Sequence, residues 1–162
     1  MTKFLPPFEK LAYFEQALFL YKKYSKYLND DFANNGDSSY EYFIKLVCRS
    51  AFWVIVEGDI VSGFVYLDNF IGDKNRLHSA ELTTCFDKRF WGSYTKDCAK
   101  TFLEYCFEYL GLRKIKALIY PENFRVKTLL KTVGFKKEGL LESETIRNGK
   151  PQDVEVYGLV LN

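Results

Sequence analysis

The chain has 162 residues, 48% hydrophobic and 27% charged, which is the composition of one folded domain and excludes a disordered chain. Its 23 Lys and Arg residues against 21 Asp and Glu residues give a formal net charge of +2, without the basic excess typical of non-specific nucleic-acid binders. We expect a single domain over residues 1–162, in which residues 1–50 are helical and residues 51–162 form a sheet with further helices.

The N-terminal segment and the cysteine pattern predict a cytoplasmic protein with reduced thiols. The residues MTKFLPPFEK lack the apolar run and the cleavage site of a secretory signal, and no segment is apolar for long enough to span a membrane. The cysteines are Cys48, Cys85, Cys98 and Cys106. Because they form no CxxC pair and the chain has a single histidine, His78, we expect no metal site. The absence of a long apolar segment likewise predicts no membrane partner.

Helical periodicity marks the first 50 residues. Apolar side chains recur at helical spacing over residues 8–28 and predict one long aromatic helix. A polar, turn-rich stretch follows over residues 29–37. Ser38 and Glu41 then form a capping-box pattern, which predicts the start of a second helix.

Strand patterns dominate the middle of the chain. Residues 51–57 and 60–67 are β-rich, and Gly58-Asp59 between them is a link typical of a tight hairpin. Polar and apolar residues alternate over residues 78–87, which predicts a third strand.

The last third combines helices with strands. The predicted elements are a helix over residues 95–110 ended by Gly111, a strand over 115–120, a helix capped by Asn123 and ended by Gly134, and a terminal hairpin turning at Asn148-Gly149.

This order of elements predicts an α/β (α+β) fold. We expect a mixed, mostly antiparallel sheet of about six to seven strands, with one central parallel pair and helices on both faces. The parallel pair consists of residues 78–87 and 115–120, because the helix over 95–110 connects them. Ligands of such sheets bind at the carboxyl ends of parallel strands, so a site is expected over residues 84–96.

The segment RFWGSYT, residues 89–95, lies at this point, between a strand and a helix. Its glycine, hydroxyl groups and consecutive backbone N–H groups at a helix start suit a pyrophosphate. The alternative is a loop whose glycine only makes a turn and whose aromatic residues cover the core.

The whole C-terminal half resembles the GNAT superfamily of acyl-CoA-dependent N-acetyltransferases, and within it the branch of the ribosomal-protein N-terminal acetyltransferases. The resemblance covers about residues 50–162 by element order, and PEN followed by VGFKKEG, together with NGKPQDVEVYGL, are its most specific pieces. The first 50 residues match only as two helices. The resemblance implies a GNAT-like fold, acetyl-CoA as co-substrate and an amine acceptor, either a small molecule or a peptide N-terminus, with no nucleic-acid partner.

The resemblance also implies where acetyl-CoA binds. In the family, the glycine loop holds the pyrophosphate and the gap between the parallel strands holds the pantetheine arm. The pyrophosphate residues are then Arg89, Gly92, Ser93, Tyr94 and Thr95, and the pantetheine lies along the backbone of Thr84 to Phe86.

Two positions of this predicted coenzyme site have alternatives. Asn123 matches a family residue that contacts the cofactor or the neighbouring strand, and a plain helix N-cap is its alternative role. Tyr94 stands where the family has glycine or alanine, so we expect its side chain to obstruct the approach of phosphate unless the loop takes another path.

Acetylation of an amine needs a base, because an ammonium group has no lone pair. Glu81 resembles the strand glutamate that the family often uses and shares a face with Thr83 and Cys85, although a surface or salt-bridged carboxylate is the alternative. His78 faces the opposite side of a regular strand and is the weaker candidate.

Acetyl transfer also needs a donor that stabilises the oxyanion and a proton for the leaving thiolate. A backbone N–H near Cys85 or Phe86 would stabilise the oxyanion. The family tyrosine that protonates the leaving thiolate is replaced by Leu130, so the thiolate either leaves unassisted or takes a proton from Tyr120 or Cys85. Cys85 as an acyl-carrying nucleophile has little support, because no histidine is nearby in sequence to lower its pKa.

Two other functions stay open at this stage. A catalytically silent GNAT-fold binding or assembly module is favoured by Tyr94 and Leu130. Nucleic-acid contact through YKKYSKY, residues 21–27, competes with the simpler interpretation of a solvated helix face. The sequence does not distinguish a monomer from a homodimer.

Overall fold

The protein is built on one seven-stranded sheet, seen in a computed structural model that describes all residues from Met1 to Asn162. The strands are β1 Thr2–Leu5, β2 Ala51–Glu57, β3 Ile60–Gly72, β4 Leu77–Phe86, β5 Lys114–Ile119, β6 Lys136–Arg147 and β7 Lys150–Val160. The helices are α1 Leu11–Lys23, α2 Ser25–Leu28, α3 Ser39–Arg49, α4 Ser93–Glu108 and α5 Phe124–Thr132. The strand order is β1-β2-β3-β4-β5-β7-β6, so the predicted fold class is confirmed.

A single pair of neighbouring strands, β4 and β5, is parallel, as predicted. Its paired residues are Ser79 with Lys114, Ala80 with Ile115 and Glu81 with Lys116. Beyond these pairs β4 continues along β3 as far as Phe86, whereas β5 continues along β7 as far as Ile119. The two strands therefore separate, and a gap opens in the sheet at their carboxyl ends.

Helices cover both faces of the sheet, which confirms the expected layers. On one face α4 and α5 bury side chains such as Phe102, Cys106 and Leu129. On the other face α1 and α3 bury an aromatic cluster around Phe43, which is fully buried. No helix is long and apolar enough to cross a membrane.

Local sequence signals set several element ends as expected. Ser38 and Glu41 form the capping box at the start of α3, with hydrogen bonds in both directions. Asn148 and Gly149 form the β6–β7 turn with φ values of 54° and 73°, the left-handed conformation that an Asn-Gly turn adopts readily.

In the N-terminal region one predicted helix differs from the structure and one strand was not predicted. The helix expected over residues 8–28 begins at Leu11 and is broken at Tyr24, where φ is −108° and ψ is 16°. The break lets the Tyr24 hydroxyl group contact the end of β4, a tertiary contact that periodicity does not reveal. Strand β1 was not predicted, because four residues show no periodicity and become a strand only by pairing with β2.

The aromatic cluster predicts a large stability loss for Phe43→Ala. Its ring lies between 5.0 and 6.0 Å from the rings of Phe14, Tyr21, Phe52 and Phe64, so truncation leaves a cavity between α1, α3 and the sheet. We expect the free energy of unfolding, measured in urea, to fall by about 3–5 kcal/mol. Phe19→Ala, at a position 63% exposed on α1, is the matched control, and equal losses in both variants would contradict this packing.

Candidate active site

A cleft of about 870 Å³ occupies the gap between β4 and β5. Its walls are residues 82–86 of β4, residues 117–120 at the end of β5, residues 122–126 at the start of α5, residues around α1 and α2 (Lys23, Tyr24, Lys26, Tyr27, Leu28 and Asp30), and Glu144, Thr145 and Val154 of the β6–β7 hairpin. Leu130 from one core and Tyr66 from the other both line it. The cleft therefore reaches both faces of the sheet.

The β4 wall offers backbone groups as well as side chains. Alternate residues of a strand direct their N–H and C=O groups to the same side, and beyond Glu81 the β5 side has no strand partner. Phe86 belongs to the core under α4 and α5, whereas Cys85 belongs to the core under α1 and α3. A ligand in the gap can thus bond to the β4 backbone between Thr84 and Phe86.

The start of α4 presents free backbone donors. Gly92 is the N-cap residue with φ 134° and ψ −140°, a conformation that residues with a Cβ rarely adopt. The N–H groups of Ser93, Tyr94 and Thr95 donate to no acceptor within the protein, while Lys96 begins the helical pattern by donating to the Gly92 carbonyl at 3.4 Å. Three free N–H groups at the positive end of a helix dipole suit an anion.

The side chain of Tyr94 does not cover these donors. Its hydroxyl group is hydrogen-bonded to Ser62 Oγ at 2.8 Å, and its ring packs against Phe86 and Phe90. The side chain therefore points into the protein, and the loop takes the path on which no obstruction was expected. The hydroxyl partner on β3 makes this direction possible for a tyrosine where small residues were expected.

Asp87, at the end of β4, is a buried carboxylate that the sequence analysis missed. Its Oδ2 accepts hydrogen bonds from Arg89 Nε at 3.1 Å and Nη2 at 3.0 Å, and Lys23 Nζ lies 3.7 Å from Oδ1. Burial alone would raise the pKa of Asp87, but the hydrogen bonds and charges of Arg89 and Lys23 lower it overall. An acidic residue between a strand and a Lys-Arg pair is the signal that could have identified it.

Arg89, predicted to bind pyrophosphate, therefore has its guanidinium group bound to Asp87. The side chain is 61% exposed, so it can still approach a ligand from outside the loop. Arg89 does not line the cleft, and neither do the residues from Gly92 to Thr95, which follow the cleft wall formed by Trp91.

Asn123 occupies the N-cap position of α5, but its side chain makes no capping hydrogen bond. It lines the cleft, and its amide is free of protein partners. The N-cap position predicted from the sequence is thus confirmed, while the hydrogen bond that defines a plain N-cap is missing.

Glu81 lies at the closed end of the gap, in the last parallel pair with Lys116. Its Oε2 accepts a hydrogen bond from Asn69 Nδ2 at 2.6 Å, and Asp68 is its partner across β3. Burial, followed by the charge of Glu81, raises the pKa of Asp68. Glu81 does not line the cleft itself, although Thr83, which follows it on the same face of β4, does.

Cys85 lines the cleft as a buried thiol. Burial, and then the charge of Asp87, raise its pKa well above the ordinary value. A neutral thiol is a weak nucleophile and, with a raised pKa, a weak acid, so this environment counts against acyl transfer through Cys85 and does not favour it as a proton donor.

Two phenol groups, of Tyr120 and Tyr66, also line the cleft. Tyr120 follows β5, and its ring lies 4.0 Å from the guanidinium carbon of Arg147. Tyr66 is on β3 and was not predicted. Burial is the largest cause that raises the pKa of both, so both phenols are protonated at neutral pH.

The loop over residues 29–37 is fastened to the β6–β7 hairpin and closes one side of the cleft. The carboxylate of Asp31 accepts hydrogen bonds from the N–H groups of Asn148 and Gly149, both at 2.9 Å. Thr145 Oγ1 donates to Asp30 Oδ2 at 2.6 Å, and these two residues line the cleft. The N-terminal region thus forms a wall of the site that begins in the C-terminal half.

A buried ionic cluster connects β7 to α5, the helix that begins after Asn123. Glu155 lies 3.1 Å from Lys127 Nζ and 3.3 Å from Lys137 Nζ, and it accepts a hydrogen bond from Tyr157 at 2.9 Å. Burial alone would raise the pKa of Glu155, but these hydrogen bonds and the Lys127 charge lower it overall.

The lowered pKa predicts how Glu155→Gln changes stability with pH. An ionised Glu155 stabilises the fold above its unfolded-state pKa, and this contribution is lost as pH falls through the lower folded-state pKa. We expect Glu155→Gln to be less stable than the wild type near neutrality, with the difference shrinking in acid. Denaturant unfolding at a series of pH values measures it, and a difference independent of pH would contradict the assignment.

Comparisons with known proteins agree with the geometry. The family model described as an acetyltransferase (GNAT) domain matches residues 12–136. Over 58 residues the chain is 40% identical to the uncharacterized N-acetyltransferase YoaA of Bacillus subtilis (strain 168), an alignment that covers 36% of this chain and only 33% of that protein.

Solved structures show the same fold across the whole chain. Spermidine N-acetyltransferase from Vibrio cholerae, in complex with CoA and spermine, superposes with a TM-score of 0.74 at 22% identity, covering 99% of this chain and 94% of that one. Ribosomal-protein-S5-alanine acetyltransferase from Vibrio fischeri gives 0.74 at 16% identity, covering 98% and 91%.

Proposed function

The chain belongs to the GNAT acetyltransferases, and we propose on this premise that it transfers the acetyl group of acetyl-CoA to a primary amine by direct attack in a ternary complex. The observation that carries the proposal is the gap between β4 and β5 beside a glycine-capped helix start with three free N–H groups. This combination provides one place for an extended arm and an adjacent place for an anion.

The coenzyme would use the backbone more than the side chains. The N–H groups of Ser93, Tyr94 and Thr95 would bind the pyrophosphate, which the Gly92 conformation leaves accessible. The pantetheine arm would bond to the free edge of β4 between Thr84 and Phe86. The free amide of Asn123 faces the same cleft and would contact the arm from the α5 side.

The chemistry requires one base, one oxyanion donor and one acid. Glu81 would accept the amine proton through a water molecule, and a β4 N–H near Cys85 or Phe86 would stabilise negative charge on the carbonyl oxygen. The amine nitrogen bonds to the carbonyl carbon while the carbon–sulfur bond breaks. The sulfur leaves as a thiolate and is protonated after departure by solvent water, Tyr120 or Cys85. Burial raises the pKa of both side chains and makes each a weak acid, which favours departure without assistance.

The acceptor would enter from the face covered by α1 and α3, where Tyr24, Tyr27 and Asp30 line the cleft. We propose a primary amine on a small molecule or at a peptide N-terminus. Both types occur among the names of the structural neighbours, which include a spermidine and a ribosomal-protein alanine acetyltransferase. A catalytically silent binding module is the alternative, and the inward direction of Tyr94 removes one of the two observations that favoured it.

Coenzyme binding tests the proposal first. We expect calorimetry to show micromolar binding of acetyl-CoA to the wild type and a loss of at least about tenfold in Gly92→Glu, because bulk, charge and backbone strain meet at the phosphate site. Gly111→Glu is the matched control, since Gly111 follows the other end of α4 with φ 69° and open space around it. No heat from the wild type at millimolar acetyl-CoA would overturn the proposal.

Catalysis by Glu81 gives a separate prediction. We expect Glu81→Gln to lower kcat by about 10²–10⁴-fold, the usual contribution of a general base, while the affinity for acetyl-CoA is unchanged. Release of free CoA is measured with spermidine and with an alanine-initiated peptide as acceptors. Glu142→Gln, at an exposed position, is the control, and a Glu81→Gln enzyme with wild-type kcat would exclude Glu81 as the base.

A further inference from the structure

Asp87 is held in one position by the backbone around it. Its N–H donates to the Ser62 carbonyl at 2.8 Å, its own carbonyl accepts from Phe90 N at 2.9 Å, and the residue is only 2% exposed. The carboxylate is therefore buried at a fixed point of the backbone, and every group that contacts it is positioned relative to the end of β4.

On one side this carboxylate binds the loop over residues 88–95, which adds Lys88 to the coenzyme segment predicted over residues 89–95. Its Oδ2 accepts from two nitrogens of the Arg89 guanidinium group, at 3.1 and 3.0 Å, and its Oδ1 accepts from the Arg89 backbone N–H at 3.3 Å. Two guanidinium nitrogens on one carboxylate oxygen and a backbone N–H on the other fix the direction of the chain as it leaves β4.

On the other side the same carboxylate binds the end of α1. The Tyr24 hydroxyl group donates to Asp87 Oδ1 at 3.3 Å and accepts from the Lys88 backbone N–H at 2.9 Å. Lys23 Nζ adds a positive charge 3.7 Å away. Tyr24 lies where the first helix breaks and lines the cleft on the acceptor side. The loop and the acceptor wall thus share one buried anion.

The far end of the loop returns to the residue that anchors Asp87. Ser62, fully buried on β3, binds the Asp87 N–H with its carbonyl and the Tyr94 hydroxyl group with its Oγ. The residues between Asp87 and Tyr94 are therefore tied at both ends to one point of the sheet. Changes at Asp87 alter the start of this loop without removing its other anchor.

We propose that Asp87 is a positioning residue that couples the coenzyme loop to Tyr24, so that acetyl-CoA affinity depends on a hydroxyl group outside the loop. The inference rests on the proposed function. In Asp87→Asn an amide NH₂ replaces one carboxylate oxygen, cannot accept from Arg89, and releases the start of the loop. In Tyr24→Phe the Lys88 N–H loses its acceptor, and the loop loosens from the α1 side.

Calorimetric titration with acetyl-CoA measures the coupling. We expect Asp87→Asn to weaken binding about tenfold and Tyr24→Phe severalfold, with the double variant little weaker than Asp87→Asn alone, because both changes break one shared network. Matched controls are Asp37→Asn, which removes an ion pair with Lys45 at 2.7 Å, and Tyr109→Phe, at a position 77% exposed. Wild-type affinity in folded Asp87→Asn would overturn the proposal.

Amide hydrogen exchange, without coenzyme, separates this proposal from the proposed function. Faster exchange over residues 88–95 in Tyr24→Phe, with the rest of the sheet unchanged, supports positioning, and unchanged exchange overturns it. If the wild type binds no acetyl-CoA, the proposed function fails while exchange still decides the role of Asp87. If Asp87→Asn does not fold, Tyr24→Phe decides it by both measurements.

Discussion

The separation of β4 from β5 is the constraint on which the site depends. Because β4 stays paired with β3 and β5 stays paired with β7, neither strand can follow the other beyond Glu81 and Lys116. The separation leaves an unpaired strand edge inside the protein, which is costly unless a ligand or water satisfies its polar groups. The same separation carries the cleft through the sheet and connects its two faces.

Helix α4, which follows β4, contributes free backbone N–H groups from its first turn. Gly92 turns the chain so that three N–H groups stay free, and Tyr94 is drawn inward by Ser62. Asp87 holds the start of the same loop and reaches Tyr24 on the opposite wall. The start of α4 and the cleft wall at Tyr24 are therefore joined through a few buried polar contacts, which makes the N-terminal region part of the cleft.

Much of the fold was predictable because its signals are local. The Ser38–Glu41 capping box and the Asn148-Gly149 turn act within a few residues, and the connection between β4 and β5 follows from chain topology. What was not predictable depends on distant partners. Strand β1 exists by pairing with β2, Tyr24 leaves the helix to reach Asp87, and the direction of Tyr94 is set by Ser62. The position of Glu81, outside the cleft lining, likewise depends on the register between β4 and β5, which the sequence does not reveal.

An amide NMR titration with CoA tests where the coenzyme binds. If the coenzyme lies in the gap with its pyrophosphate on the start of α4, the largest shifts fall on Ser93–Thr95 and Thr84–Phe86. Shifts concentrated elsewhere, with these two segments unmoved at saturating CoA, would contradict the central claim that the separated strands and the glycine-capped helix form the coenzyme site.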